Sequence, residues 1–193
     1  MRKPTRRGLL AGLAVATAGC AGNLRSAETE TTATSSASTT DSRTSTEPST
    51  GETASVGMSC DSDSGEYVFR PDLLHVDPGT TVVFGVTSVC RQRTVAYHPS
   101  NDRPLRIPEA ADPWGSDVVQ RSGTFEYRFE VEGVYDYFGL HESTGQVGSV
   151  VVGTPDADGQ PGLEPPQESL PDSARTAIRD LNRRTRELPD VDA

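Results

Sequence analysis

The middle of this chain predicts an all-β sandwich, and two observations carry that prediction. Short β-rich runs alternate with turn signals across residues 57–153, roughly one hundred residues and an ordinary size for one domain. Within that span residues 123–130 alternate cleanly, so that Phe125, Tyr127 and Phe129 face one way.

The elements follow in order. Residues 66–69 read as a first strand, closed by Arg70-Pro71-Asp72. Residues 73–76 make a second, stopped by Asp77-Pro78-Gly79, where proline presets one turn position and glycine relaxes the next. Residues 80–86 and 94–97 give a third and a fourth, residues 123–130 a fifth, and residues 134–137 and 148–152 complete the set. Residues 154–171, rich in Gly, Pro and acids, read as a linker. A short C-terminal helix is predicted over 172–188, with Asp172-Ser173 as its cap and Pro189 as its stop. Ala174, Ile178, Leu181, Thr185 and Leu188 form one apolar stripe, and Arg175, Arg179, Arg183, Arg184 and Arg186 make the rest basic. Two readings stand: a helix packed back on its own acidic domain, or a docking element for an acidic partner or membrane surface.

The N-terminus is set apart from the fold. Arg2, Lys3, Arg6 and Arg7 precede a small-and-apolar run, 8–18, too short to span a bilayer. Thr5-Arg6-Arg7-Gly8-Leu9-Leu10 resembles a twin-arginine export signal. Ala18-Gly19-Cys20-Ala21 resembles a lipoprotein cleavage box, which makes Cys20 the lipidated residue and residues 1–20 the signal. An uncleaved signal anchor and plain secretion are the alternatives. Residues 21–56 collapse to Thr, Ser, Glu and Ala, with too little apolar surface to offset ordering entropy, and read as a disordered tether.

The chain carries a net charge of −10, and Lys3 is its only lysine. That acidic balance argues against nucleic acid as a partner, since phosphates are repelled. Acid-rich, arginine-only surfaces of this kind resemble the proteins of extreme halophiles. No nucleophile-base arrangement, phosphate-binding loop or zinc motif is visible, so no enzyme activity is expected.

The span 134–152, reading VYDYFGLHESTGQVGSVVV, is the most specific segment. With Phe69-Arg70-Pro71, Pro78-Gly79-Thr80-Thr81-Val82, Tyr97-His98-Pro99 and Pro113-Trp114 it appears in an order that resembles the blue copper proteins, the cupredoxins. The likeness is to the halocyanin and plastocyanin-like proteins of halophilic archaea. It implies a Greek-key β-sandwich and one-electron transfer between membrane redox partners through copper. Such a site takes two imidazoles and a thiolate in a trigonal plane with a weak axial Met or Gln. Here His141 stands at the family's second His, Gln146 at the axial Met and Gln92 at the first His. The thiolate position falls on Phe138 or on Gly139, depending on the alignment, and neither side chain binds metal. What remains is a degenerate set, His141, Gln92, Gln146 and Glu142, able to hold copper weakly at most. His98 lies six residues beyond Gln92, about 20 Å along an extended strand, and His75 reads as a packing residue.

With Cys20 assigned to lipid, Cys60 and Cys90 remain as an even pair outside the cell, which reads first as a disulfide. The alternative has Cys90 supply a displaced thiolate beside His141, since it lies two residues from Gln92 on one side of a strand. The sequence therefore predicts a lipid-anchored, exported cupredoxin-like domain on the outer face of the cell membrane. Its copper is weak or absent, and its partners are the membrane, through the anchor, and a redox or surface protein. The alternative is a copper-binding electron carrier with a non-standard site.

Overall fold

The structure, a computed structural model, describes residues 51–61, 63–189 and 191. The predicted export signal, Cys20 and residues 21–50 of the tether lie outside the described residues. Eight strands form two four-stranded sheets. The first holds β1 (Thr53–Asp61), β2 (Glu66–Arg70), β4 (Thr80–Val86) and β6 (Thr124–Phe129). Their order is β2-β1-β4-β6, with β1 parallel to β4. The second holds β3 (Leu73–Val76), β5 (Thr94–Ala96), β7 (Gly133–Gly139) and β8 (Val147–Val152), in the order β3-β8-β7-β5. All seven strands read from the sequence are present.

The core between the sheets is aromatic. Phe84 and Phe69 pack edge-on against Tyr137 at 5.2 and 4.7 Å, and Trp114 stacks on Tyr127 at 4.5 Å. Offset and edge-on arrangements of this kind set the positive ring edge against a negative face.

β1 is the element missing from the sequence reading, which ran the tether to residue 56. The strand starts at Thr53, which pairs with Thr81 of β4. Its inward positions, Val56 and Met58, are buried, while Thr53 and Ser55 face water. Outward Thr and Ser suit a half-buried strand but have the composition of the tether before them, so the boundary was masked.

The span 154–171 is a packed strap rather than a loose linker. It contains a one-turn helix, Pro161–Leu163, and buries Leu163 and Leu170. Gly162 lets it approach β7 closely: a Cβ there would lie 2.8 Å from the Val134 carbonyl oxygen. Arg106 fastens it. This guanidinium is fully buried, its Nε donates to Asp136 of β7 at 2.7 Å, and it donates further to the carbonyls of Gly162 and Glu164. The Ser149 hydroxyl donates to the other Asp136 oxygen.

Helix α1 (Asp172–Thr185) follows. Pro171 is its capping residue and Asp172 already lies in the first turn, where a carboxylate suits the helix dipole. The predicted cap thus falls one residue late, and the helix stops three residues short of Leu188. Of the two readings of this segment, the packed one is the observed one. Ala174, Ile178 and Leu181 cluster with Val95, Tyr97, Phe138 and Val147 on the outer face of the second sheet. Arg184 makes a bidentate pair with Asp72, 2.8 Å for each bond. Covered on both sides, β7 and β8 are buried at every residue. That is why Val150-Val151-Val152 reads as a continuous apolar run instead of an alternation.

Candidate metal centre

Gln92, His141 and Gln146 come together at one end of the sandwich. β7 ends at Gly139, a one-turn helix spans Glu142–Thr144, and β8 restarts the sheet at Val147. Gln146 closes this loop from within. Its main-chain carbonyl accepts from the Gly139 N–H at 3.0 Å, and its side-chain Oε1 accepts from the His141 N–H at 3.1 Å. Its Nε2 donates to Gln92 Oε1 at 2.7 Å. Gln92 in turn donates to the carbonyl of Ser59 in β1 at 3.3 Å and exchanges both main-chain bonds with Val119. Gln92 and Gln146 are 0% and 1% exposed. Two buried amides thus tie together β1, residue 119 and the 139–146 loop, each satisfying the other.

Phe138 and Gly139, the two positions the alignment leaves open, face different ways. Phe138 lies in the helix-covered cluster, 4.8 Å from Tyr97 and under the Arg103 guanidinium at 4.9 Å. Gly139 lies on the Gln146 side. A Cβ there would sit 2.2 Å from Cδ and Oε1 of Gln146. The missing side chain at Gly139 is the space that the Gln146 carboxamide fills.

The remaining donors are committed elsewhere. Glu142 is buried and held by Arg103, with Nη2 2.7 Å from Oε2 and Nε 3.2 Å from Oε1. Burial first, then the Glu142 charge, push the neighbouring Tyr97 phenol far above its ordinary range. The half-buried His141 ring stacks on Tyr67 at 3.5 Å, with 16° between planes, and its nitrogens make no hydrogen bond to the described residues. His98 Nδ1 accepts from the Ser100 N–H within its own turn, and His75 Nε2 lies 2.7 Å from the Gly153 carbonyl oxygen.

Cys60 and Cys90 form a disulfide, with Cα atoms 6.1 Å apart. This overturns the displaced-thiolate reading of Cys90, because a sulfur in a disulfide is no thiolate ligand. Cys60 pairs directly across from Tyr67, so the bridge anchors the segment carrying Gln92 beside the strand that carries the His141 stacking partner. Among the described residues no group of three or more His, Cys, Asp or Glu is placed to hold a metal. A blue copper ion needs a thiolate and two free imidazoles. The residues at this end supply one imidazole and two amides already bonded to each other, so they do not fit such an ion.

No family model matches the chain, and no curated protein matches it. Solved structures do. A pseudoazurin from Methylobacterium extorquens AM1 is 20% identical, covering 70% of this chain and 100% of its own, with a TM-score of 0.56. A pseudoazurin from Sinorhizobium is 20% identical over 70% and 97%, at 0.55, and one from Hyphomicrobium denitrificans is 23% identical over 68% and 97%, at 0.52. Identities this low speak to architecture alone, and on that architecture the chain is a cupredoxin-fold β-sandwich.

Proposed function

We propose that this protein is a copper-free binding or structural module built on the cupredoxin fold, with no enzyme activity. The reading places it at the outer face of the cell membrane of a halophilic archaeon, through a lipid on Cys20 and a Thr/Ser/Glu-rich tether. Its partner there is another surface protein. The observation that carries this is the Gln92–Gln146 amide pair. To admit a metal, these buried groups must give up their mutual hydrogen bond, and Gln146 must leave the space beside Gly139. Leaving buried polar groups unpaired costs about 1–3 kcal/mol each, and one imidazole returns little of that. Where copper once cross-linked the loops of the family's site, hydrogen bonds and a disulfide hold them here.

One observation favours a second reading, a weak copper carrier: the imidazole nitrogens of His141 make no hydrogen bond to the described residues. Titration of the full chain with Cu(II), with visible absorption and bound-metal analysis, separates the two. The proposal expects no intense thiolate-to-copper band and less than one tightly held copper per chain. Saturable uptake of one copper per chain, with or without an intense band, would reject it.

A further inference from the structure

The side of helix α1 turned away from the sheet carries a second feature. Arg179, Arg183 and Arg186 are exposed and recur at the spacing that lines one helix face. Opposite them runs the strap segment with Leu163, Pro165 and Pro166, and between the two walls lies a groove of about 460 Å³. One wall is apolar and the other cationic.

The charges on that wall are only partly neutralised. Arg183 pairs with Asp180 and Glu187. Arg186 donates to the Leu163 carbonyl at 2.7 Å, a contact that orients the guanidinium without cancelling its charge. Arg179 has no acidic partner among the described residues. This stripe stands on a chain whose net charge is −10, so it runs against the protein's own field. A second, independent observation lies in the groove lining. Asn182 is 6% exposed; its Nδ2 donates to the Glu164 carbonyl, while Oδ1 has no donor among the described residues.

We infer that this groove binds an extended peptide segment of alternating acidic and apolar residues from a surface partner. The geometry sets that chemistry. Alternate residues of an extended chain lie about 6.6 Å apart and face the same way, while the residues between them face the opposite way. Arg179 and Arg183 are about 6 Å apart along the helix axis, and Arg179 and Arg186 about 10.5 Å. Acids directed at the helix meet guanidinium groups while the intervening apolar side chains meet Pro165, Pro166 and Leu163. The groove shares no residue with the amide-filled end, so this inference stands whether or not that end binds copper.

The test uses the full chain and two fluorescein-labelled peptides, one of three Glu-Leu repeats and one of three Gln-Leu repeats, followed by fluorescence anisotropy. The expected result is saturable binding of the Glu-Leu peptide, with the Gln-Leu peptide weaker by at least about tenfold. Arg179→Glu weakens Glu-Leu binding by at least about tenfold, while Arg121→Glu, an exposed charge elsewhere, changes it by less than about twofold. Absence of saturable binding, or equal binding by the Arg179→Glu variant, overturns the inference. So does Arg179-dependent binding of phosphatidylglycerol vesicles by a chain that ignores the peptide, since the groove would then face lipid headgroups.

Discussion

Two polar centres are buried in this sandwich, and they are built on different principles. At the end of the strands, Gln92 and Gln146 are neutral and exchange a single mutual hydrogen bond. Under the strap, Arg106 and Asp136 are both fully buried, and each finds further partners in Ser149 and the strap carbonyls. A buried neutral amide left without its partner costs about 1–3 kcal/mol, whereas a buried charge left alone costs about 3–5 kcal/mol. The neutral pair holds the loops at one end of the sandwich. The charged pair holds a C-terminal strap and helix over a sheet face. Damage at the first should loosen one end, and damage at the second should threaten the whole domain.

Arg106→Leu is the most severe way to probe that contrast. It strands Asp136 in the interior and should cost about 3–5 kcal/mol, read from the urea midpoint. Adding Asp136→Leu should recover part of the loss, because the unpaired charge is then gone. Next comes the disulfide. Its two cysteines are 30 residues apart, and replacing both by Ser should cost about 2–4 kcal/mol, measured the same way. At the amide-filled end Gln146→Ala should cost only about 1–3 kcal/mol. Gly139→Ala should destabilise the native chain because its Cβ meets the Gln146 carboxamide, yet cost less in the Gln146→Ala background. Additive costs would mean that the two residues do not share that space.

The smallest effect is electrostatic. Hydrogen bonds from Arg184 hold the Asp72 carboxyl below its ordinary value of 3.8. The folded protein therefore takes up this proton less readily than the unfolded chain. The stabilisation is complete above about pH 4 and is lost as the pH falls through the lowered value. Because Asp72 and Arg184 are 45% and 33% exposed, solvent screens the pair and the effect is modest. The stability difference between the native chain and Arg184→Gln should shrink as the pH is lowered below about 4. A difference that grew on acidification would contradict the assignment.

Much of the framework was legible. Alternation at Phe125, Tyr127 and Phe129 and the Pro78-Gly79 turn placed strands by local rules that the packing obeys. The pairing of Cys60 with Cys90 followed from parity once Cys20 was set aside. Gln92 and Gln146 were picked as amides standing at ligand positions, but their bond to each other was invisible, because it joins residues 54 apart through tertiary structure alone. Arg106 and Asp136, 30 apart, were hidden for the same reason. Val150-Val151-Val152 did carry a signal that went unused. A strand apolar at every position needs cover on both faces, and that points to a C-terminal segment folded back on the sheet.

The central claim is that two buried amides, bonded to each other, close one end of the sandwich and leave no room there for a metal. The most direct measurement is the NMR spectrum of the Gln92 and Gln146 side-chain amides in the full chain, before and after one equivalent of Cu(II). The account predicts slowly exchanging side-chain protons on Gln146 and sharp signals from both residues that survive the paramagnetic ion. Loss of both signals at substoichiometric Cu(II) would place the metal among them and contradict the account.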